Sequence, residues 1–167
     1  MENTKKESFL RRKNIEISAR RYGIDALGAM AQGLFASLLI GTILNTLGTQ
    51  LGIQALVDVG AHASSMSGAA MAVAIGFALQ APPLVLFSLV TVGKAANELG
   101  GAGGPLSVLI IAIIAAELGK VVSKETKVDI LVTPLVTILS GVGLSALIAP
   151  AIGAAASSVA RRSVSSR

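Results

Sequence analysis

The sequence has no cysteine, no tryptophan and a single histidine, and aromatic residues make up only 3% of it. Without cysteine there is no disulfide framework, and cysteine usage says nothing about redox compartment. One histidine, His62, without any cysteine removes the Cys/His class of metal site and leaves no Ser/His/Asp arrangement to build on. Charge is also scarce, at 14% of residues, where soluble domains carry about a quarter. Scarce charge combined with 53% hydrophobic residues excludes a disordered chain, which needs the opposite balance. Two classes remain: a membrane protein, or a very apolar soluble core.

The distribution of the charges chooses between them. Residues 1–25 hold seven basic side chains (Lys5, Lys6, Arg11, Arg12, Lys13, Arg20, Arg21), and three more arginines stand at 161, 162 and 167. Residues 26–57, 59–93 and 130–160 are uncharged runs of 32, 35 and 31 residues. A soluble helix shows a charged face every turn or two, and a spanning helix needs about 20 apolar residues. The chain therefore reads as an integral membrane protein. Its pI of about 10.0 is accounted for by basic residues flanking spans, as the positive-inside rule describes, rather than by nucleic-acid binding. The segments are a basic cytoplasmic N-terminal part at 1–23, a membrane domain at 24–160 and a short basic tail at 161–167.

Residues 8–22 carry Phe9, Leu10, Ile15 and Ile17 among their charges, and read as a solvated tail that fixes topology rather than as a membrane-surface helix. No A-x-A-type site follows, so the start does not resemble a signal peptide. The first span falls at 26–47, and residues 48–62 read as an outer connection. Residues 63–93 are interrupted by Gln80-Ala81-Pro82-Pro83. Proline removes a backbone donor, so this block is either one kinked span or two segments meeting at the prolines. Residues 94–105 read as a Gly-rich turn, 106–118 as a short span or half-helix, and 119–129 as a charged loop. Residues 130–160 read as one long kinked span, or a span plus a turn. Two segments around Pro82-Pro83 put the 119–129 loop on the same side as the N-terminus, which the charge rule favours. The expectation is an all-α, polytopic membrane bundle with broken or kinked helices and about four to five membrane segments.

Small residues recur at every fourth position along Asp25–Asn45, Ser64–Gln80 and Thr137–Ser157. Such stripes let helices approach closely in lipid and predict static packing or homo-oligomerisation ahead of a sliding interface. Polar groups at membrane depth are the candidates for chemistry. Gln80 precedes the double proline, where it serves either to bind a ligand or to satisfy freed backbone groups. Glu98 stands beside the Gly-rich turn and four residues after Lys94. Asn45 reads as an interhelical hydrogen-bonding group, and Glu117 with Lys120 as an ion pair at a span end. The run Gly100–Gly104 lacks the Lys-Ser/Thr of a phosphate-binding loop.

Several segments together, in order, resemble a known family: Arg21–Met30, Leu34–Gly41, Gln80–Val85, Ala115–Lys124 and Thr126–Ile130 followed by Thr133-Pro134. They resemble phosphotransferase-system enzyme IIC-like membrane proteins, some of which carry the label putative toxin regulator. The resemblance implies a sugar permease component, in truncated or half-length form, with a membrane-embedded regulator of gene expression as the alternative. It implies a carbohydrate site near Asn45, Gln80, Pro82, Pro83 and Glu98. It also implies a multi-pass protein of a bacterial inner membrane that is not itself an enzyme. The phosphoryl-carrying residues would lie on cytoplasmic IIA and IIB partners, and no cofactor is expected.

Overall fold

A computed structural model describes residues 2–165, so Ser166 and Arg167 of the predicted tail lie outside the described residues. Every regular element among the described residues is helical. Helix α1 (Glu2–Arg12) comes first. A continuous rod follows over Arg20–Leu51, made of a π-helical turn, α2 (Ala26–Leu34), a second π-helical turn and α3 (Ile40–Leu51). Gly52, at φ 68°, ends it in the left-handed conformation that glycine adopts without penalty. Then come α4 (Gln54–Ser65), α5 (Ser67–Ala78), α6 (Pro83–Gly100), α7 (Gly104–Val122) and α8 (Asp129–Ser165).

Three stretches, Arg20–Leu51, Pro83–Val122 and Asp129–Ser165, are long and apolar enough to cross a membrane, and Ser67–Ala78 is a shorter apolar helix. The middle stretch is not a single rod. It folds at Gly101 (φ 50°), which brings Gly100 beside Ser107 and Gly119 against Val85. The chain thus runs along the bundle five times in alternating directions: α2–α3, α4–α5, α6, α7 and α8. Helix α6 lies in the middle and packs on α5, α7 and α8. Its Val85, Leu89 and Val92 are buried together with Met71, Ile75, Val108 and Ile111.

The all-α bundle is as expected; three local readings are corrected and two open alternatives are decided. Residues 48–62 are not a connection: α3 continues to Leu51, and α4 folds back along it, with Gly41 against Gly60 and Gly48 against Val57. Residues 63–93 form two helices parted at the prolines. Residues 94–100 stay helical, and the Gly-rich turn shrinks to Gly101–Gly103. Residues 130–160 form one helix through both Pro134 and Pro150. Finally, the N-terminal tail contains a helix.

The stripes face their neighbours. Gly33 meets the Ala70–Met71 backbone, Gly68 and Gly93 approach each other's carbonyls, and Gly153 lies on Gly100. Thr137, Gly141, Ser145 and Ala149 of α8 are buried. Hydroxyls in these interfaces turn back onto their own helices: Ser37 Oγ donates to Gly33 O at 2.7 Å and Ser145 Oγ to Gly141 O at 2.8 Å. These two bring no unpaired donor to their contacts, whereas the buried Ser107 Oγ beside Gly100 has no hydrogen-bond partner among the described residues.

The antiparallel order sorts the chain's turns between two ends. The N-terminal segment, the Leu79–Pro82 turn and the loop at 123–128 share one end, where Lys13, Arg21, Lys120, Lys124 and Lys127 also lie. The Gly52 and Gly101 turns are at the other.

Candidate site where three helix ends meet

The site begins with two missing amides. In an uninterrupted helix the carbonyls of Ala78 and Leu79 would accept from residues 82 and 83, and proline has no N–H to give. The chain turns instead. Gln80 adopts φ 57°, its amide donates to Phe77 O at 3.0 Å, and the Ala81 amide donates to Gly76 O at 2.9 Å. This is a Schellman ending with glutamine in the place glycine usually takes. Helix α6 restarts at Pro83, since a helix's first residue needs no amide donor.

The Leu79 carbonyl receives two cations. Lys120 Nζ and Arg21 Nη2 each donate to it at 2.9 Å. Lys120 is only 1% exposed. It also donates to the carbonyl of Asn14 at 2.9 Å and pairs with Glu117 at 2.9 Å, so its three N–H donors are all engaged. Arg21 Nη2 reaches Asn14 Oδ1 at 3.3 Å as well. Tyr22 stands beside the Glu117 carboxylate.

Asn14 is a second Schellman ending. At φ 56° it closes α1, with its amide 3.1 Å from Arg11 O and the Ile15 amide 2.9 Å from Leu10 O. Its side-chain amide donates to Gln80 Oε1. The third helix end belongs to α7, where the Ser123 carbonyl accepts from Lys13 Nζ. The C-terminal ends of α1, α5 and α7 therefore converge. Each carries the partial negative charge of its helix dipole, and Lys13, Arg21 and Lys120 stand among them.

Two polar clefts flank this junction. One, of about 410 Å³, is lined by Lys13, Asn14, Gln80, Pro82, Lys120 and Glu125 among others. The other, of about 270 Å³, is lined by Asn14, Glu16, Arg20, Arg21, Asp25 and Gln80 among others. The Asn14–Gln80 amide pair is common to both and stands between them.

Lys13 and Arg12 both pair with Glu125 in the loop after α7. The hydrogen bond from Lys13, followed by the charges of Lys13 and Arg12, holds the Glu125 carboxyl below the usual carboxylate range. A carboxyl whose pKa falls on folding contributes above its unfolded value and loses that contribution as pH drops through its folded value. The clasp is therefore expected to hold through mild acid and to open only below about pH 4. The check is limited proteolysis of residues 1–19 against pH. Glu125→Gln should be cut readily at every pH, and a clasp opening already near pH 6 would contradict the assignment.

Of the sequence candidates, the structure gathers Gln80, Pro82 and Pro83 at the break. Asn45 lies on α3, its backbone against Gly60 and its Oδ1 3.4 Å from Thr49 Oγ1. Glu98 is mostly exposed near the other end of α6 and pairs with Lys94 at 2.7 Å, about 22 Å along the helix from Pro83. Asn45 and Glu98 are not brought to the junction. His62 sits exposed on α4. The Glu117–Lys120 pair forms as the spacing suggested, but inside the protein. Asn14 and Arg21 are site residues that sequence reasoning passed over, and Lys120 was read only as the ion-pair partner of Glu117. The signal for them was indirect: two carbonyls four residues before two prolines need donors from elsewhere.

A family model described as phosphotransferase system, EIIC matches residues 24–162. No curated protein and no solved structure matches the chain.

Proposed function

The chain belongs to the phosphotransferase-system EIIC family, and from that premise we propose that it passes a carbohydrate across a bacterial inner membrane, where cytoplasmic IIA and IIB phosphocarriers supply the phosphoryl group it receives. The family match supports a multi-pass membrane component of such a system. In this reading the basic end faces the cytoplasm, in keeping with the positive-inside rule. The observation that carries the reading is the break at Leu79–Pro83. Irregular backbone at a span end is tolerated where protein groups satisfy it, and here Lys120 and Arg21 do so. The Gln80 side chain is left at the boundary of two polar clefts, where an amide can both donate to and accept from sugar hydroxyls.

Gln80, Pro82 and Pro83 form the heart of the proposed site. Asn45 and Glu98 would meet the sugar at other stages of its passage. The protein supplies a path and hydrogen bonds, and the phosphoryl group would be carried by the partners.

Labelled-sugar uptake tests the proposal, in cells deleted for the gene and in cells expressing it with its phosphocarriers. Restored uptake of at least one sugar supports it. A full panel with no difference would contradict it, and altered expression of target genes at unchanged uptake would favour the regulator.

Gln80→Gly refines the test. It removes the amide and also relieves left-handed strain of about 1 kcal/mol, so the protein should fold at least as well while uptake falls. Unchanged uptake would remove Gln80 from the site.

A further inference from the structure

Helix α1 has no buried residue, and it reaches the junction only through its last turn. Lys5, Lys6 and Arg11 are exposed and form no ion pair among the described residues. The helix sets Lys5, Lys6, Arg11 and Arg12 against Glu2 and Glu7, a net charge of +2, and buries none of its residues. Phe9 lies within its basic face, 5.4 Å from the Arg12 guanidinium carbon and 5.9 Å from Lys13 Nζ.

Its position is nevertheless fixed. Asn14 binds Gln80 and Lys120, which stand where apolar α5 ends and α7 is about to end. That level is where hydrocarbon gives way to headgroups. Eleven residues span about 16 Å, roughly two Debye lengths at physiological salt. Pinned at that level by its C-terminal end, α1 brings Lys5 and Lys6 within a Debye length of the membrane surface when it lies along that surface.

We infer that α1 is a docking element for anionic phospholipid headgroups of the leaflet at the basic end, with Lys5, Lys6 and Arg11 supplying the charge and Phe9 and Leu10 the interfacial contact. The partner follows from charge and from place. A basic, solvent-exposed helix tethered at the headgroup level meets the negative surface of the bilayer before any other anion. The solvated tail expected from sequence becomes a membrane-surface element.

The test uses the full chain in nanodiscs. Because the protein lacks cysteine, Ser8→Cys carries a single fluorophore on α1. Acrylamide quenching is measured in phosphatidylcholine discs and in discs with phosphatidylglycerol, at low and high salt. Quenching should fall on the order of tenfold with the anionic lipid, as expected when several bases each favour the bound state. It should return at high salt, and also when Lys5, Lys6 and Arg11 are changed to Glu. Equal quenching in all discs would overturn the inference. So would equal protection in both lipids, which would mean that α1 packs on protein.

Discussion

Lys120→Met should lower the stability of the folded bundle by about 3–5 kcal/mol, the usual cost of removing one partner from a buried ion pair. The loss has three sources. Glu117 keeps its carboxylate beside Tyr22 without a counter-charge. The Asn14 carbonyl loses its ammonium donor. Leu79, whose helical acceptor role the prolines have already cancelled, keeps only Arg21. The effect is read from the folded fraction in a denaturing-detergent titration. Adding Glu117→Gln should recover part of the loss, with a coupling of about 1–3 kcal/mol in the double-mutant cycle. Lys120→Arg should not rescue fully, because a planar fork cannot send three donors in three directions as an ammonium does. A Lys120→Met protein within about 0.5 kcal/mol of the parent would mean that the junction does not depend on this side chain.

The second large effect is expected at the α5–α6 contact. A side chain begun at Gly93 would place its Cβ 2.2 Å from the Gly68 carbonyl oxygen and 2.4 Å from the Ala72 Cβ. The opposing atom is backbone, so nothing can rotate aside. Gly93→Ala should cost about 3 kcal/mol, the upper part of the overpacking range, and Gly93→Leu should part α5 from α6 altogether. Gly143 is the control. No atom lies within 4 Å of a Cβ there, so Gly143→Ala should gain up to about 1 kcal/mol from helix propensity. Similar behaviour of Gly93→Ala and Gly143→Ala in one unfolding series would show that the stripe is not a packing seam.

These two sites mark what could and could not be read from the chain beforehand. The uncharged runs announced a membrane bundle because lipid tolerates so few charges. The four-residue stripes announced close helix contacts, and Gly68 and Gly93 meet as such stripes should. The prolines placed the break at residue 80. The partners of the break lay out of reach, because Asn14, Arg21 and Lys120 are 40 or more residues from Leu79 in sequence or across a turn whose direction no local pattern encodes. Their convergence follows from tertiary antiparallel order. The fold-back of α4 was hidden for a related reason. Asp58, Gln54 and His62 make that segment look like a loop, yet they occupy its exposed side, while Gly60 and Val57 take the face against α3. Likewise, a Glu117–Lys120 spacing of three fits a surface pair and a buried one equally well.

Single-cysteine labelling in intact cells is the most direct test of the central claim, that the N-terminal segment, the break and the loop after α7 form one cytoplasmic mouth of a permease component. The parent protein has no cysteine of its own. Gln50→Cys and Ala102→Cys, beside the Gly52 and Gly101 turns, should react with an impermeant maleimide from outside. Ser8→Cys and Lys127→Cys should react only after the membrane is opened. Labelling of Lys127→Cys from outside, or of Gln50→Cys and Lys127→Cys from the same side, would contradict it.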